Sequence, residues 1–138
     1  MTDIDCIFCK IIAKEIPAEM IYEDDQVIAF LDIKPSAPGH TLVVPKNHSK
    51  DLLDADEETV SAAMARIRKI APAVLNAVGA SGFNLGVNTG SSSGQVVFHL
   101  HFHIIPRHDA DGLKAWPHFD AEPKRRTEIA EKIKSLLI

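Results

Sequence analysis

The sequence has little cysteine, no long apolar run and no excess of positive charge. Two cysteines among 138 residues are too few for a disulfide scaffold and are typical of a reducing cytoplasm. The apolar runs span only a few residues, whereas about 20 are needed to cross a bilayer. No basic and apolar leader opens the chain, and the net charge of −4 argues against electrostatic coating of nucleic acid. We therefore expect a cytoplasmic protein with neither a membrane nor a nucleic-acid partner.

Hydrophobic periodicity predicts five strands and two or three helices in one folded domain. The strands are predicted at residues 21–22, 26–33, 40–44, 83–88 and 96–105, and the helices at residues 6–18, 54–78 and 123–137. In the long helix, Asp54 with Glu57 offers a capping box and Gly79 offers a stop. Pro72 predicts a kink there, or two helices in sequence. Connections that allow antiparallel pairing indicate an α+β fold.

Three of the seven histidines occupy alternate positions of the last predicted strand. Side chains alternate across a strand, so His99, His101 and His103 would share one face while Leu100 and Phe102 face the core. Three interpretations are open: a solvated sheet face, a three-histidine metal site, and chemistry by neutral imidazole. Histidine is uncommon, and three at this spacing make the solvated face the weakest of them.

The loop over residues 88–95, just before this strand, is rich in glycine and serine. Such a loop can direct backbone N–H groups at an anion. Serine and glycine loops are common without any ligand, but the three adjacent histidines favour a phosphate site here.

The run His-apolar-His-apolar-His, led by Gly94-Gln95, resembles the signature of the histidine-triad (HIT) family of nucleotide-binding hydrolases, especially its bacterial Hint-like members. Similar runs occur at Cys6-Ile7-Phe8-Cys9-Lys10-Ile11, Glu15-Ile16-Pro17-Ala18, Tyr22-Glu23-Asp24-Asp25, Ala29-Phe30-Leu31-Asp32-Ile33, Ala37-Pro38-Gly39-His40 and Val44-Pro45-Lys46-Asn47-His48. The resemblance covers about residues 6–107. It implies a single HIT domain over residues 1–138, with a five-stranded antiparallel sheet, a C-terminal extension carrying the helix at about 123–137, and a two-fold homodimer.

The resemblance also implies roles for individual residues. His101 corresponds to the nucleophile that attacks the α-phosphorus, and a neutral imidazole is competent for this near pH 7. His103, Asn88 and Gln95 would contact phosphate oxygens, where preorganised donors stabilise developing charge. His40 would support the triad through a proton or a hydrogen bond.

The same resemblance predicts how the nucleoside is held. Asp32 matches the carboxylate that accepts hydrogen bonds from both ribose hydroxyls. The apolar wall around the base would consist of Ile7, Phe8, Ile11, Phe30 and Ile33. From periodicity alone these apolar residues would be core residues, and some would serve both purposes.

Cys6-x-x-Cys9 has several interpretations from its residues alone. A redox dithiol is expected near a βαβ pattern, which the sequence does not show. Two ordinary buried cysteines or a metal site remain open. The resemblance favours structural zinc held by Cys6, Cys9, His48 and His99, since two thiolates and two imidazoles satisfy a closed tetrahedral site. The remaining histidines, His108 and His118, are expected to be solvated.

The sequence departs from the family pattern in two places. Val96 stands where many Hint-like proteins have a serine that contacts phosphate, and beyond Arg107 the match fades. The expected activity is hydrolysis of a purine nucleoside phosphoramidate or an adenylylated conjugate at the α-phosphorus, releasing a nucleoside monophosphate. The alternatives are a dinucleoside polyphosphate hydrolase, a nucleotide-binding regulatory protein with incidental turnover, and a zinc-only structural domain.

Overall fold

The computed structural model describes residues 3–114 and 116–137, which include every predicted site residue. In chain order the elements are α1 (Ile7–Ile12), β1 (Met20–Glu23), β2 (Val27–Leu31), β3 (Thr41–Pro45), α2 (Glu57–Val78), β4 (Gly82–Gly86), a 3₁₀ turn (Ser91–Ser93), β5 (Phe102–Arg107) and α3 (Pro123–Leu136). None of the helices in these ranges is long and apolar enough to cross a membrane.

The five strands form one antiparallel sheet in the order β1-β2-β3-β5-β4. Helix α2 packs on one face, where Ile67, Ile70 and Val74 meet Phe102 and Ile104. The other face carries a second core, in which α1 covers β2 and β3. The predicted α+β class is therefore confirmed. Burial on both faces explains why β2 and β3 are continuous apolar runs.

Helix α2 begins two residues later than the predicted capping box implies. Asp56 is the N-cap, and its carboxylate accepts a hydrogen bond from Thr59 N at 2.8 Å. Asp54 instead accepts one from Lys50 N, at 2.7 Å, in the preceding loop. Of the two alternatives predicted at Pro72, two helices in sequence is wrong, since one helix runs past it with its apolar face buried. Gly79 ends the helix as predicted, with φ of +67°.

The histidine strand is shorter than predicted. Strand β5 begins at Phe102, so His99 and His101 precede it and the three imidazoles do not share one strand face. The cause is tertiary: Leu100 N donates to Ser49 O at 2.8 Å and not to β3. In addition, β3 ends at Pro45, which has no N–H to continue the ladder. Leu100 and Phe102 are nevertheless buried in the core, as the alternation predicts.

Gly39 holds the loop that carries His40 against α2 and β5. Its φ is +85°, and a Cβ there would lie 2.9 Å from Val78 Cγ1. We expect Gly39→Ala to lower the free energy of unfolding by about 2 kcal/mol, because the substitution combines backbone strain with a clash. Differential scanning calorimetry measures this. Gly82→Ala is the matched control, since a Cβ at Gly82 meets nothing within 4 Å. Equal unfolding temperatures for the two variants would contradict the expectation.

Candidate active site and metal centre

A cavity of about 490 Å³ opens between α1, the end of β2 and the segment leading into β5. Nine of the predicted site residues line it together: Ile7, Phe8, Ile11, Phe30, Asp32, Ile33, Asn88, His101 and His103. The structure thus joins parts of the chain that are up to 96 residues apart. His40 and Gln95 do not line the cavity. His40 lies behind His103, and Gln95 lies in the neighbouring loop.

The apolar wall has a buried floor and an exposed rim. Phe8 and Phe30 are buried and meet edge to face, with ring centroids 5.6 Å apart. Phe8 also packs edge-on against the His101 ring at 5.0 Å. Ile33, in contrast, is 91% exposed at the rim of the cavity. The floor residues therefore belong to the second core as well as to the cavity, whereas Ile33 has its side chain free for a ligand.

His101 is held in one tautomer by the backbone. Its Nδ1 lies 2.7 Å from the carbonyl oxygen of His99. A carbonyl only accepts, so Nδ1 carries the proton and the Nε2 lone pair is free. Burial lowers the pKa of His101 and outweighs the hydrogen bond to His99, which acts in the opposite direction. The ring is therefore neutral near pH 7. A neutral, buried imidazole with a free Nε2 lone pair is equipped to act as a nucleophile.

A second chain of hydrogen bonds orders His103. Ser36 N donates to His40 Nδ1 at 2.9 Å, so neutral His40 carries its proton on Nε2. That Nε2 lies 2.9 Å from His103 Nδ1, which must accept. His103 then carries its proton on Nε2, where it can donate to a ligand. Burial, with the neighbouring His101 and His40, lowers the pKa of His103 to about 4 and keeps it neutral.

Asp32 lies between the apolar wall and the imidazoles. Its Oδ1 accepts a hydrogen bond from Lys34 N at 2.9 Å, and its Oδ2 is 3.6 Å from His40 Nε2. The side chain is 20% exposed and lines the cavity. It therefore retains acceptor capacity toward a ligand, beside the imidazole of His40.

Much of the hydrogen-bonding capacity of the loop before β5 is engaged within the loop. The N–H groups of Ser93, Gly94 and Gln95 bond to carbonyls within the loop. The Gln95 side chain accepts from Gly90 N at 2.8 Å and donates to the carbonyls of Lys50 and Val97. This buried amide orders the loop, and a contact between Gln95 and phosphate stays a prediction. Asn88 is the amide that lines the cavity, while the side chain of Val96, which is 85% exposed there, offers no donor.

Cys6, Cys9, His48 and His99 converge beside the cavity. Their donor atoms all lie within 4.8 Å of one another. His99 Nδ1 is 3.3 Å from Cys6 Sγ, and His48 Nδ1 is 3.4 Å from Cys9 Sγ. The two Nδ1 atoms are 3.0 Å apart. The three-histidine metal site is not assembled among the described residues, because His99 turns away from His101 toward the cysteines.

The donor chemistry of this cluster fits zinc. His99 is fully buried and donates from Nε2 to the Pro45 carbonyl at 2.8 Å, so its Nδ1 lone pair faces the cluster. Burial lowers its pKa to about 4 and keeps it neutral. Tetrahedral zinc at its usual bond lengths separates its ligands by about 3.3–3.8 Å, close to the distances here. The donor atoms of two thiols and two imidazoles converge here, and the two Nδ1 atoms are in contact. A cation bound between them would accept a lone pair from each.

Asp32, His40 and His103 also lie within 4.8 Å of one another through one donor atom each. In this group the hydrogen bonds place a proton between His40 Nε2 and His103 Nδ1, where a metal ion would otherwise bind. His40 uses its Nδ1 lone pair for Ser36 N, so its Nε2 would have to lose a proton before it could bind a cation. His40 and His103 are therefore a hydrogen-bonded pair, with the Asp32 carboxylate beside it.

Two remaining histidines lie outside the site. His108 Nε2 donates to the carbonyl of Val78 at 3.0 Å and stabilises the end of α2, so its predicted role as a solvated residue is wrong. His118 is exposed, as predicted.

Three features together define the class of this protein. They are the antiparallel α+β domain, the histidine-lined cavity, and the cluster of two cysteines and two histidines beside it. The HIT domain family matches residues 13–110. The chain therefore belongs to the HIT, or histidine-triad, family, as the resemblance predicts.

Known relatives connect this family with hydrolysis and with zinc. The chain is similar to an adenylylsulfatase of Arabidopsis thaliana, HINT3, at 44% identity over 80% of the chain and 56% of that protein. A crystal structure of a Streptococcus mutans protein has a TM-score of 0.92 and 38% identity over 99% of the chain and 88% of its own. A zinc-bound histidine triad family protein of Mycobacterium smegmatis has a TM-score of 0.77 and 38% identity over 95% and 97%.

Proposed function

We propose that the protein hydrolyses a purine nucleoside phosphoramidate or an adenylylated conjugate at the α-phosphorus. The observation that carries this proposal is the His101 tautomer. The bond from Nδ1 to the His99 carbonyl leaves a free Nε2 lone pair on a neutral ring that lines the cavity. The similarity to an adenylylsulfatase supports a hydrolase of nucleotide derivatives.

The reaction proceeds in two displacements. His101 Nε2 attacks the α-phosphorus, a phosphorus–nitrogen bond forms, and the bond to the leaving group breaks, with the leaving group taking up a proton from solvent water. Water then attacks the same phosphorus, the bond to Nε2 breaks, and a nucleoside monophosphate is released. The two steps together replace one difficult displacement by two easier ones. His103 Nε2–H and the Asn88 amide donate to the phosphate oxygens as charge builds there.

The neighbouring cluster is proposed to hold structural zinc through Cys6, Cys9, His48 and His99. Four protein ligands close the coordination shell, so zinc here would supply stability and no open position for substrate. His99 links the two sites, since its ring would bind the metal while its carbonyl orients His101. Zinc would thus hold the backbone that fixes the nucleophile's tautomer.

The charge around the cavity favours a small or neutral leaving group over a polyphosphate. Among the described residues that line the cavity, Lys34 is the single cation. A dinucleoside polyphosphate carries several additional negative charges and would find little to compensate them. We therefore expect higher kcat/KM for adenosine phosphoramidates and acyl-adenylates than for diadenosine polyphosphates, measured as a panel. Turnover confined to the polyphosphates would overturn this assignment.

Asp32 is proposed to bind the ribose hydroxyls. Asp32→Asn should weaken binding of a ribonucleotide about ten-fold, because a hydrogen bond to a charged group contributes about 1.5–3 kcal/mol. The affinity for the 2′,3′-dideoxy analogue should change little. Isothermal titration calorimetry measures both affinities, and Asp25→Asn in the exposed β1–β2 turn is the control. Equal losses for the two nucleotides would remove Asp32 from the ribose site.

A further inference from the structure

The two cysteines of the metal cluster are unequally accessible from solvent. Cys9 is buried, whereas Cys6 is half-buried. Cys6 also lines a cavity of about 300 Å³ that adjoins the active-site cavity, and Cys9 is not among the residues that line it. The remainder of its wall consists of Asp3, Asp5, Ile7, Val96, Val97 and Phe98. A small solute therefore reaches Cys6 before it reaches Cys9.

Two carboxylates influence which solute can approach Cys6. Asp3 and Asp5 are exposed and are the only charged residues that line this cavity. Their negative charge repels anionic oxidants and anionic thiols, whereas an uncharged peroxide is not repelled. Cys9 is covered more tightly, since Asp3 N donates to Cys9 Sγ at 3.3 Å. The cavity thus favours the reaction of a small neutral oxidant with Cys6.

Cys6 and Cys9 are placed for a bond between their sulfurs. Cys6 is the N-cap residue of α1, and its Sγ accepts a hydrogen bond from Cys9 N at 3.4 Å. Residues three apart on a helical turn have Cα atoms about 5 Å apart, which is within the range that a disulfide spans. The two Sγ atoms already lie within 4.8 Å of each other. A disulfide can therefore form without unwinding α1.

We propose that Cys6 and Cys9 form a redox switch, in which hydrogen peroxide oxidises the pair to a disulfide and zinc is released. The inference rests on the proposed zinc site and uses no step of the proposed catalysis. The Cys6 thiolate attacks one peroxide oxygen, a sulfur–oxygen bond forms, the oxygen–oxygen bond breaks, and hydroxide leaves. The Cys9 thiolate then attacks Cys6 Sγ, the disulfide forms, and the second oxygen leaves as hydroxide. The pair gives up two electrons, and solvent protonates both hydroxides to water.

The disulfide removes half of the zinc ligands, because zinc binds the thiolate form of cysteine. His48 and His99 alone leave a tetrahedral shell two donors short. His99 keeps its hydrogen bond to the Pro45 carbonyl, but the metal no longer joins it to α1. Phe8 of α1 contacts the rings of His99 and His101, with centroids 6.0 and 5.0 Å apart. Oxidation therefore loosens the support of the active-site floor.

Treatment of the full-length, zinc-loaded protein with hydrogen peroxide tests the switch. Elemental analysis before the treatment measures zinc per chain and reports separately on the zinc assignment. A chromophoric chelator then follows zinc release, while mass spectrometry follows the tryptic peptide over residues 1–10, which contains both cysteines. We expect zinc and both thiols to be lost together, with a mass decrease of about 2 Da as the disulfide forms. A dithiol reductant with added zinc should restore the starting state.

Cys6→Ser is the matched control for the peptide mass. Its single thiol cannot form this disulfide, so the same peptide should never show the loss of about 2 Da. This measurement does not depend on whether the variant folds or binds zinc. The readouts also do not involve turnover, so failure of the switch is distinguishable from failure of the catalytic proposal.

Four results would overturn the proposal. The first is zinc release with both thiols still reduced, and the second is a disulfide that forms while zinc stays bound. The third is oxidation of the thiols only after a chelator has removed the zinc, which would mean that the metal protects the pair. The fourth is oxidation to sulfinic or sulfonic acid without a disulfide, which a dithiol reductant does not reverse.

Discussion

Replacement of His101 by alanine is expected to lower turnover by about three orders of magnitude or more. The variant loses the only group proposed to form the covalent intermediate, and loss of a nucleophile has effects of at least this size in comparable enzymes. Nucleotide affinity should persist, because His103, Asn88 and Asp32 remain in the cavity. Single-turnover kinetics with an adenosine phosphoramidate, alongside titration with the product nucleotide, separates the two quantities.

His101→Asn is the matched variant for this experiment. Its side-chain amide can still donate to the His99 carbonyl, so it retains the local hydrogen bond and lacks the nucleophilic ring nitrogen. We expect turnover to fall equally in both variants, with zinc content and unfolding temperature nearly unchanged. Turnover of His101→Ala within ten-fold of the unmodified protein would show that another group performs the attack.

The second large effect is expected at the metal cluster. His99→Ala should abolish stoichiometric zinc and lower the unfolding temperature by roughly 10 °C or more, because structural zinc binding is folding free energy. It also leaves the Pro45 carbonyl without its donor. Elemental analysis and calorimetry on the same samples measure both quantities.

His108→Ala controls for the lost hydrogen bond. His108 also donates from Nε2 to a carbonyl, that of Val78, but lies outside the cluster. We expect this variant to keep its zinc and to lose only a few degrees. Zinc lost from His101→Ala but kept by His99→Ala would reverse the assignment of roles within the triad.

Periodicity and local signals predicted most of the architecture. The apolar repeat defined α2, and Gly79 ends it because the helix closes there with a left-handed residue. The choice between Asp54 and Asp56 as N-cap could not be made from sequence. Both are acidic residues near a helix start, and the loop bond from Lys50 N to Asp54 is a tertiary detail.

The division of roles among the three histidines was not available from spacing. Alternation makes His99, His101 and His103 equivalent, and only the resemblance separated them. In the structure His99 is separated from His101 and His103, because Leu100 N donates to Ser49 O and the chain joins the sheet only at Phe102. The hydrogen bond from Ser36 N to His40, which sets the tautomer of His103, involves a backbone group and leaves no signal in the sequence.

The loop before β5 shows how far composition reaches. Its glycines and serines predict an anion-binding backbone, whereas the N–H groups of Ser93, Gly94 and Gln95 are bonded within the loop. Gly90 and Gly94 are required there by positive φ values of 86° and 100°. Composition alone does not distinguish a loop that binds phosphate through its backbone from one that merely turns tightly.

The stereochemical course at phosphorus distinguishes a covalent intermediate on His101 from direct attack by water. Each in-line displacement inverts the configuration of phosphorus. An adenosine phosphorothioamidate of defined configuration would be hydrolysed in ¹⁸O-labelled water and the configuration of the product determined. Two displacements through His101 predict overall retention, whereas inversion would mean that water attacks the substrate directly and would contradict the account.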